Sequence, residues 1–441
     1  MKKILLMAAV TAVALSSCSK DEVTTSVNDN QAISFDAYAG VSAKGLVTDN
    51  GTASSSTTAS IKDGFGVLGY YQTVTGVASV ATFNTTSSTP NYMWNQKVTY
   101  ETSSWTYSPT KYWPNNTNDR LSFMAYAPYQ ALVDGDASSG DTGVTIPSAS
   151  TQGTPTIKLS LLDAAKMVDL VADMQYDLAQ GNSTGTANPS TVSFMFEHLL
   201  TRVAFEVVLG GDVVSSVATG TKVFLTQVKL VGTNSSLYDK DGDNRKSTKL
   251  YSDGTFTFSA SADVETNGLG TWGSLTASTT DINLDGKTPG TNNIVNFTDG
   301  SGTIPSSTPT QGGTAYTIPR SMELTSLTTA TTMFITNHYL FLLPPNGTTG
   351  LETAGDVKVY LEYDVVTEDA NLYDGHSVVT NYSIVDLPAA HLAKGSAYKY
   401  TFTVGLQKVE VEGNIETNWG NETTGSADVE IEDAITTSMV K

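Results

Sequence analysis

Apolar residues recur at every second position in a short stretch near the amino terminus. They are Ile33, Phe35, Ala37, Ala39 and Val41, with Ser34, Asp36, Tyr38 and Gly40 between them. In an extended chain this spacing places the apolar side chains on one face. The pattern predicts a half-buried β-strand, the first strand of the fold.

One basic residue follows this strand. Lys44 and Gly45 stand among small residues, and the chain then runs through Gly51–Ser60, which is almost entirely Ser, Thr, Ala and Gly. Such a segment is flexible, and a trypsin-like protease can cut at its lysine. Two interpretations stay open. The strand is an ordinary edge strand before an ordinary loop, or proteolysis removes it from its own sheet and leaves a groove.

The rest of the first half is rich in aromatic residues at alternate or near-alternate positions. They fall in the segments Phe65–Tyr71, Tyr92–Tyr100, Trp105–Pro114 and Leu121–Tyr129. Adjacent strands can stack such side chains across one face. The pattern favours a hydrophobic core, and a sugar-stacking platform is the alternative.

Strand-like segments continue through the second half. They are Val223–Val231, Thr255–Phe258, Met333–Leu343, Val357–Val366, Val378–Val385 and Tyr398–Leu406. No long stretch keeps a helical period, so the predicted fold class is all-β. Residues 271–315 read as a long polar insertion with few apolar anchors, expected on the surface.

The length of the chain indicates two domains, because 441 residues exceed one ordinary hydrophobic core. A junction near Gly210–Gly211, where a long strand ends, divides the body. The predicted domains are an amino-terminal β-sandwich at 32–210 and a carboxy-terminal β-sandwich at 211–419.

The charge balance excludes one class of partner. The sequence has 44 acidic and 24 basic residues, for a formal net charge of −20. Nucleic acid is therefore not an expected partner, since binding phosphates requires a basic surface. Cys18 is the only cysteine, so the mature body can form no internal disulfide.

Residues 1–17 have the layout of a secretory signal peptide: two lysines precede an apolar run too short to span a membrane. The run ends in Leu15–Cys18, which resembles a bacterial lipoprotein signal, in which the cysteine becomes the acylated first residue. Residues 18–31 would then form a lipidated tether. Its start, Ser19–Glu22, resembles the signal that sends Bacteroidetes lipoproteins to the outer face of the outer membrane.

Residue types that carry chemistry are present but do not form a recognisable site. His198 has no partner at the spacing of a zinc site, so a hydrogen-bonded structural role is favoured over metal ligation. Asp239–Asp243 alternates carboxylates like a calcium loop, but Asn244 stands where that loop requires glycine, which favours a hairpin turn. Glu368–Asp369 is interpreted as a surface pair, since sequence does not give carboxylate separations. We expect no enzyme activity, no catalytic residues, no metal and no cofactor.

Several segments carry a family resemblance through their order along the chain. They are W-x-Y-x-P-x-K-Y-W-P at 105–114, L-x-F-x-A-Y-A-P-Y at 121–129, Val168–Ala172, Val192–Val208, Lys394–Val404 and Val409–Trp419. Together they resemble the fimbrillin family of Bacteroidetes, the type V pilins and their relatives.

This resemblance implies two tandem β-sandwich domains of transthyretin-like or Greek-key type with long polar loops. It also implies a lipoprotein that reaches the cell surface, is cut by a trypsin-like protease and polymerises by strand exchange. By position, Cys18 matches the lipidated cysteine, Ile33–Val41 the removable first strand, and Lys44–Gly45 the activating cut. The implied partners are other copies or related pilins, the outer membrane through the lipid anchor, and the processing protease.

The tail at 420–441 holds a candidate donor strand, in which Ala427, Val429 and Ile431 alternate with acidic residues. Insertion of this strand into a second copy would be β-augmentation, and a head-to-tail contact of that kind grows a filament. A frayed terminus explains the tail equally well. The alternative function is therefore a non-polymerising surface lipoprotein, or a tip or accessory adhesin, that binds a glycan or a host or bacterial surface ligand.

Overall fold

The computed structural model describes residues 31–39, 61–74, 80–131, 143–161, 163–179, 191–213, 220–264, 268–290, 293–300, 312–336, 338–345, 353–389, 392–406 and 408–416. The strands in these ranges are β1 (Ser34–Ala39), β2 (Phe65–Gln72), β3 (Met93–Glu101), β4 (Ser104–Thr106), β5 (Arg120–Ala127), β6 (Val144–Thr145), β7 (Thr156–Ser160), β8 (Val171–Leu178), β9 (Thr191–His198), β10 (Thr201–Leu209), β11 (Thr221–Leu230), β12 (Tyr251–Phe258), β13 (Gly270–Ala277), β14 (Ile282–Asp285), β15 (Met322–Leu324), β16 (Thr331–Thr332), β17 (Leu340–Leu342), β18 (Lys358–Glu368), β19 (His376–Asp386), β20 (Ala397–Val404) and β21 (Val409–Glu416). Short 3₁₀ helices lie at Ile61–Asp63, Ala164–Lys166 and Ser261–Asp263. In the part of the chain that is described, no helix is long and apolar enough to cross a membrane.

The strands form four sheets, which confirms the all-β, sandwich-type fold. A seven-stranded sheet has the order β1-β9-β8-β5-β2-β3-β4, and a four-stranded sheet has the order β13-β12-β7-β6. The other two sheets have the orders β16-β10-β20-β21, with β17 also on β10, and β14-β11-β18-β19, with β15 also on β11. Most of the pairs are antiparallel, but β1 runs parallel to β9 and β10 runs parallel to β20.

One face of the seven-stranded sheet encloses its own hydrophobic cluster, which we call the amino-terminal core. Its buried members include Ile33, Phe35, Ala37, Phe65, Val98, Trp113, Phe123, Val192, Phe194 and Phe196. Aromatic rings from β2 and β9 touch across this core, with the Phe65 and Phe196 centroids 5.6 Å apart. Most of the aromatic-rich pattern of the first half therefore builds core, although Tyr112 and Trp94 stay partly exposed.

A second, larger cluster joins the remaining sheets. It takes Tyr70 and Met124 from the other face of the seven-stranded sheet and packs them with strands of all three smaller sheets. The strand pairing of β7 with β12 also joins the two halves of the chain.

The long strand expected across 192–208 is in fact two strands in different sheets. The break falls at Leu199–Leu200, so that β9 completes the amino-terminal sheet while β10 pairs with β16, β17 and β20. The domain junction near Gly210–Gly211 stays a prediction, but these pairings favour a junction at the Leu199–Leu200 break instead.

The polar insertion expected at 271–315 was wrong in part, because it contains regular structure. Strands β13 and β14 lie within or overlap it, and Trp272, Leu284, Ile294 and Val295 are buried in the large cluster. A few apolar anchors, separated by polar residues, are enough to fix this segment to the sheets below it.

Near the break between β9 and β10, two buried side-chain pairs lie one in each of the sheets that meet there. The Nδ1 atom of His198 lies 2.8 Å from Oδ1 of Asp169, with both side chains buried, as expected for a structural histidine. Arg202 at the start of β10 donates to Oε2 of Glu416 at 2.6 Å, and its guanidinium lies 4.3 Å from the Tyr339 ring centroid. Lys399 also reaches this carboxylate, at 3.3 Å from Oε1. The last described residue of β21 is thus held by both central strands of its sheet.

Candidate functional site

The candidate site is the edge of the seven-stranded sheet where β1 lies. β1 pairs with β9 in a parallel register from Ser34 opposite Thr191 to Ala39 opposite Phe196. On the outer side, the backbone pairing seen among the described residues is an isolated antiparallel bridge just before β1, between Ala32 and Tyr112. β1 is therefore an edge strand with one full ladder.

Ile33, directly before β1, and the first apolar side chains of β1 fill the amino-terminal core. Ile33, Phe35 and Ala37 are 2%, 3% and 6% exposed, whereas Asp36 faces solvent. The Phe35 ring lies 5.1 Å from Tyr107, 5.6 Å from Phe123 and 5.8 Å from Phe194, measured between centroids. One ring of β1 thus contacts three separate segments of the sheet.

Hydrogen bonds anchor the start of β1 on both sides. The amide of Ile33 donates to the Lys111 carbonyl at 2.8 Å, and the Tyr107 hydroxyl donates to the Ile33 carbonyl at 2.7 Å. Burial raises the pKa of Tyr107, which keeps its hydroxyl a donor. On the other side, Oγ of Ser34 and Oγ1 of Thr191 are 2.7 Å apart.

Further along β1, a side chain of the strand itself hydrogen-bonds one of its amides. The Ala37 amide donates to Oδ1 of Asp36 at 2.9 Å. An inward-turned or self-capping acid is a common way to keep an edge strand from pairing with other chains.

β9 depends on β1 for most of its backbone pairing. β8 pairs with β9 only at Glu197 and His198, and in the described residues β1 is the one strand that pairs with positions 191–196. The β8–β9 ladder stops at Glu197. Two residues earlier in β9, the Met195 amide donates to the carboxylate of Asp173 at 2.8 Å. Burial raises the pKa of Asp173. The hydrogen bonds from Gln175 and the Met195 amide lower this pKa, but by less than burial raises it.

The structure does not bring the other predicted site residues together. Cys18, Val41, Lys44, Gly45, Ala427, Val429 and Ile431 all lie outside the described residues. Ala39 is the last residue of β1, opposite Phe196. Processing, lipidation and strand donation at these positions stay predictions.

Sequence reasoning missed three residues that hold β1 and β9: Tyr107, Asp173 and Thr191. Tyr107 is one of many residues in the general aromatic pattern, and a single acid or threonine in a strand carries no local signal for its partner. Their roles depend on pairings between positions far apart in the sequence.

The acidic motifs lie in turns. Asp239 accepts from the amides of Asp241 and Asp243 at 3.1 Å and 2.9 Å, so its carboxylate shapes a turn. Asp369 accepts from the Asn371 amide at 2.9 Å in the same manner. Among the residues described, no group of His, Cys, Asp and Glu could hold a metal ion.

We expect Phe35→Ala to loosen β1 from β9. Truncating a buried phenylalanine costs about 3 to 5 kcal/mol, so amide exchange at positions 191–196 should speed up on the order of 100- to 1,000-fold where local opening governs exchange. Hydrogen–deuterium exchange with mass spectrometry measures this. Asp36→Asn is the matched control on the solvent face and should leave that exchange nearly unchanged. Equal protection in Phe35→Ala and the wild type would show that the ring does not hold β1 in place.

Comparison with known proteins identifies relatives over nearly the whole chain. A family model described as fimbrillin-like matches residues 53–419, beginning after β1 and ending after β21. Fimbrium subunit Fim1C of Phocaeicola vulgatus is 27% identical over 434 residues, which cover 97% of this chain and 99% of that protein. The crystal structure of a fimbrial protein from Bacteroides vulgatus matches with a TM-score of 0.61 at 25% identity, covering 88% of this chain and 99% of that chain.

Proposed function

Because the chain belongs to the fimbrillin-like family, we propose that it is a structural subunit of a fimbrium on the bacterial surface, supporting adhesion. It is exported as a lipoprotein, activated by proteolysis after β1 and polymerised by donor-strand exchange. The observation that carries this proposal is the dependence of β9 on β1: one edge strand supplies all the strand pairing of positions 191–196 in the described residues.

The position of β1 supports its removal. An edge strand leaves without separating two neighbouring ladders. Here its removal breaks the β9 ladder, the bridge at Ala32 and the side-chain hydrogen bonds of Tyr107 and Thr191. The two large apolar residues, Ile33 and Phe35, contribute about 1.5 to 3 kcal/mol each by burial. That is a sizeable part of a typical folding margin of about 5 to 15 kcal/mol, so β1 stays in place until a cut frees it.

Lys44 is the expected position of that cut. It is the only lysine or arginine between positions 21 and 61, so a trypsin-like protease has one target in the segment that follows β1. A cut there would turn β1 from part of the chain into a separate peptide that can dissociate.

The groove left by β1 would bind another β-strand tightly. It would expose the Phe194 and Phe123 rings that Phe35 covers, together with the backbone groups of positions 191–196. Water would pair with those backbone groups, so the drive to refill the groove comes mainly from the exposed apolar surface, at about 25 cal/mol per Å². A new strand laid along β9 would restore both the pairing and the core.

The tail after Glu416 is the proposed donor. Its residues Ala427, Val429 and Ile431 offer apolar side chains at every second position, the spacing that β1 uses. Donation to another copy is head-to-tail and extends without closing, which gives a filament.

The precursor would be anchored to the membrane by a lipid before the cut. Acylated Cys18 would hold the precursor in the outer membrane through the tether 18–31, and the cut at Lys44 would release the subunit from that anchor together with β1. The partners are then other copies or related pilins, the membrane before the cut, and the processing protease.

Treating the purified precursor with trypsin under native conditions tests the proposal. We expect one cut near Lys44, followed by ladders of multimers on a gel. An uncut chain, or a cut chain that stays monomeric, would contradict polymerisation. Either result would support a non-polymerising surface lipoprotein, or a tip or accessory subunit, that binds a glycan or a host ligand.

A further inference from the structure

An open polar cleft lies on the outer face of the β14-β11-β18-β19 sheet, away from β1. Its volume is about 690 Å³, within the range of small-molecule sites. The sheet's other face carries Val223, Leu225 and Leu361 into the large hydrophobic cluster. The cleft itself is lined by charged and amide side chains of β11, β14 and β18, of the residue before β14 and of the loop after it, together with Gly286 and Thr288.

Three strands align one row of side chains across this face. Gln227 of β11 pairs with Glu362 of β18, and Glu362 pairs with Tyr382 of β19. Residues directly opposite one another in a sheet share a face, so an amide, a carboxylate and an aromatic ring lie side by side.

The central strand β11 is irregular at this row. Its register with β18 shifts between Leu225 and Gln227, and its register with β14 shifts between Val228 and Lys229. Bulges of this kind re-aim side chains and are frequent beside functional sites. Here they flank Gln227 and Lys229, both of which line the cleft.

The Glu362 carboxylate of the cleft is held in a fixed position. Oε1 of Glu362 accepts from Lys287 at 2.6 Å and from the Thr226 hydroxyl at 3.2 Å, and Oε2 accepts from the Tyr360 hydroxyl at 3.2 Å. The loop after β14 is anchored below by an ion pair between buried Asp285 and Arg320. A fixed set of donors and acceptors loses little conformational entropy when a ligand binds.

An aromatic surface borders these groups. The rings of Tyr360 and Tyr382 are stacked, with centroids 6.4 Å apart and planes inclined by 25°. Tyr360 is buried, whereas Tyr382 is 37% exposed, so the pair presents one supported ring to solvent.

The charges in the cleft cancel. Lys229 and Lys287 are matched by Asp281 and Glu362, although the chain as a whole is strongly acidic. A balanced site offers no net attraction to a phosphate or to a cation. Hydroxyl groups, which both donate and accept, match its mixture of amides, carboxylates and ammonium groups.

We propose that this cleft binds an uncharged carbohydrate. Gln227, Glu362 and the lysines hydrogen-bond the hydroxyls, and the Tyr382 ring packs against the apolar face of a sugar ring. The site does not depend on strand exchange, since it lies on the β11–β19 face and uses no residue of β1 or β9.

The purified full-length subunit is tested on an array of neutral oligosaccharides of glucose, galactose, mannose and N-acetylhexosamines, printed with sialylated and sulfated glycans. We expect binding to neutral members. The strongest binder is then titrated calorimetrically against Tyr382→Ala and Gln227→Ala, each checked for a wild-type melting temperature. Each variant should weaken binding about tenfold or more.

Tyr373→Ala is the matched control, because Tyr373 is a more exposed tyrosine, 61% accessible, located between β18 and β19 and outside the cleft. It should bind like the wild type. Binding to anionic glycans alone, binding to no neutral glycan, or affinity that neither cleft variant changes would each overturn the proposal.

Discussion

Lys44→Ala is expected to abolish the ladders that trypsin produces from the wild-type precursor. The next lysine, Lys62, lies in the 3₁₀ helix Ile61–Asp63 beside the fully buried Ile61, so the variant leaves no lysine or arginine in the segment between β1 and that helix. β1 then stays on β9, held by Ile33, Phe35 and the register that runs from Ser34 to Ala39. Gel electrophoresis and electron microscopy of the digest measure the loss.

Two variants separate the cut from the assembly that follows it. Lys44→Arg keeps a trypsin site and should form ladders like the wild type. Val429→Asp should be cut normally but form few or no multimers, because it places a charge among the apolar positions of the proposed donor strand. Normal ladders from Lys44→Ala would refute the assignment of the cut.

A disulfide between β1 and β9 is expected to block polymerisation even after the cut. Ser34 and Thr191 are paired residues whose side-chain oxygens lie 2.7 Å apart. Adjacent strands are about 4.8 Å apart, which lies within the Cα separations that a disulfide spans. In a Cys18→Ala background, the oxidised Ser34→Cys/Thr191→Cys variant should be cut by trypsin and stay monomeric.

Reduction supplies the control in the same sample. Adding dithiothreitol to the cut, oxidised variant should release β1 and restore ladder formation to the wild-type extent. The single variant Ser34→Cys should form ladders with or without reductant. Ladders from the oxidised double variant would show that β1 need not leave for subunits to join.

The sequence predicts β1 well because its signal is local. Apolar residues at every second position from Ile33 mark a strand with one buried face, whatever it pairs with. Its partner could not be predicted, since β9 lies more than 150 positions away by sequence number and runs parallel. Nothing within either segment encodes that register.

The break between β9 and β10 shows a second limit. Leu199 and Leu200 are apolar like their neighbours, and no glycine or proline marks the change of sheet. Distant groups satisfy the backbone there: the Trp272 indole donates to the Leu199 carbonyl at 2.6 Å, and the Gly395 amide donates to the Leu200 carbonyl at 2.9 Å. A break stabilised from afar leaves no local signal.

The polar cleft was missed for a related reason. Its lining residues Gln227, Lys287 and Glu362 and the bordering Tyr382 come from four separate segments, and Lys287 falls in the stretch whose sequence predicts a polar insertion. Only the pairing of β11, β18 and β19 places them side by side.

The ion pair at the end of β21 has a mechanical consequence. In the filament proposed above, a pull on the tail reaches β21, whose last described residue is Glu416. Arg202 of β10 and Lys399 of β20 form salt bridges with that carboxylate, and these are the two central strands of the sheet. A pull on the tail is therefore distributed into the interior of the sheet, and an outermost strand does not peel away by itself under load.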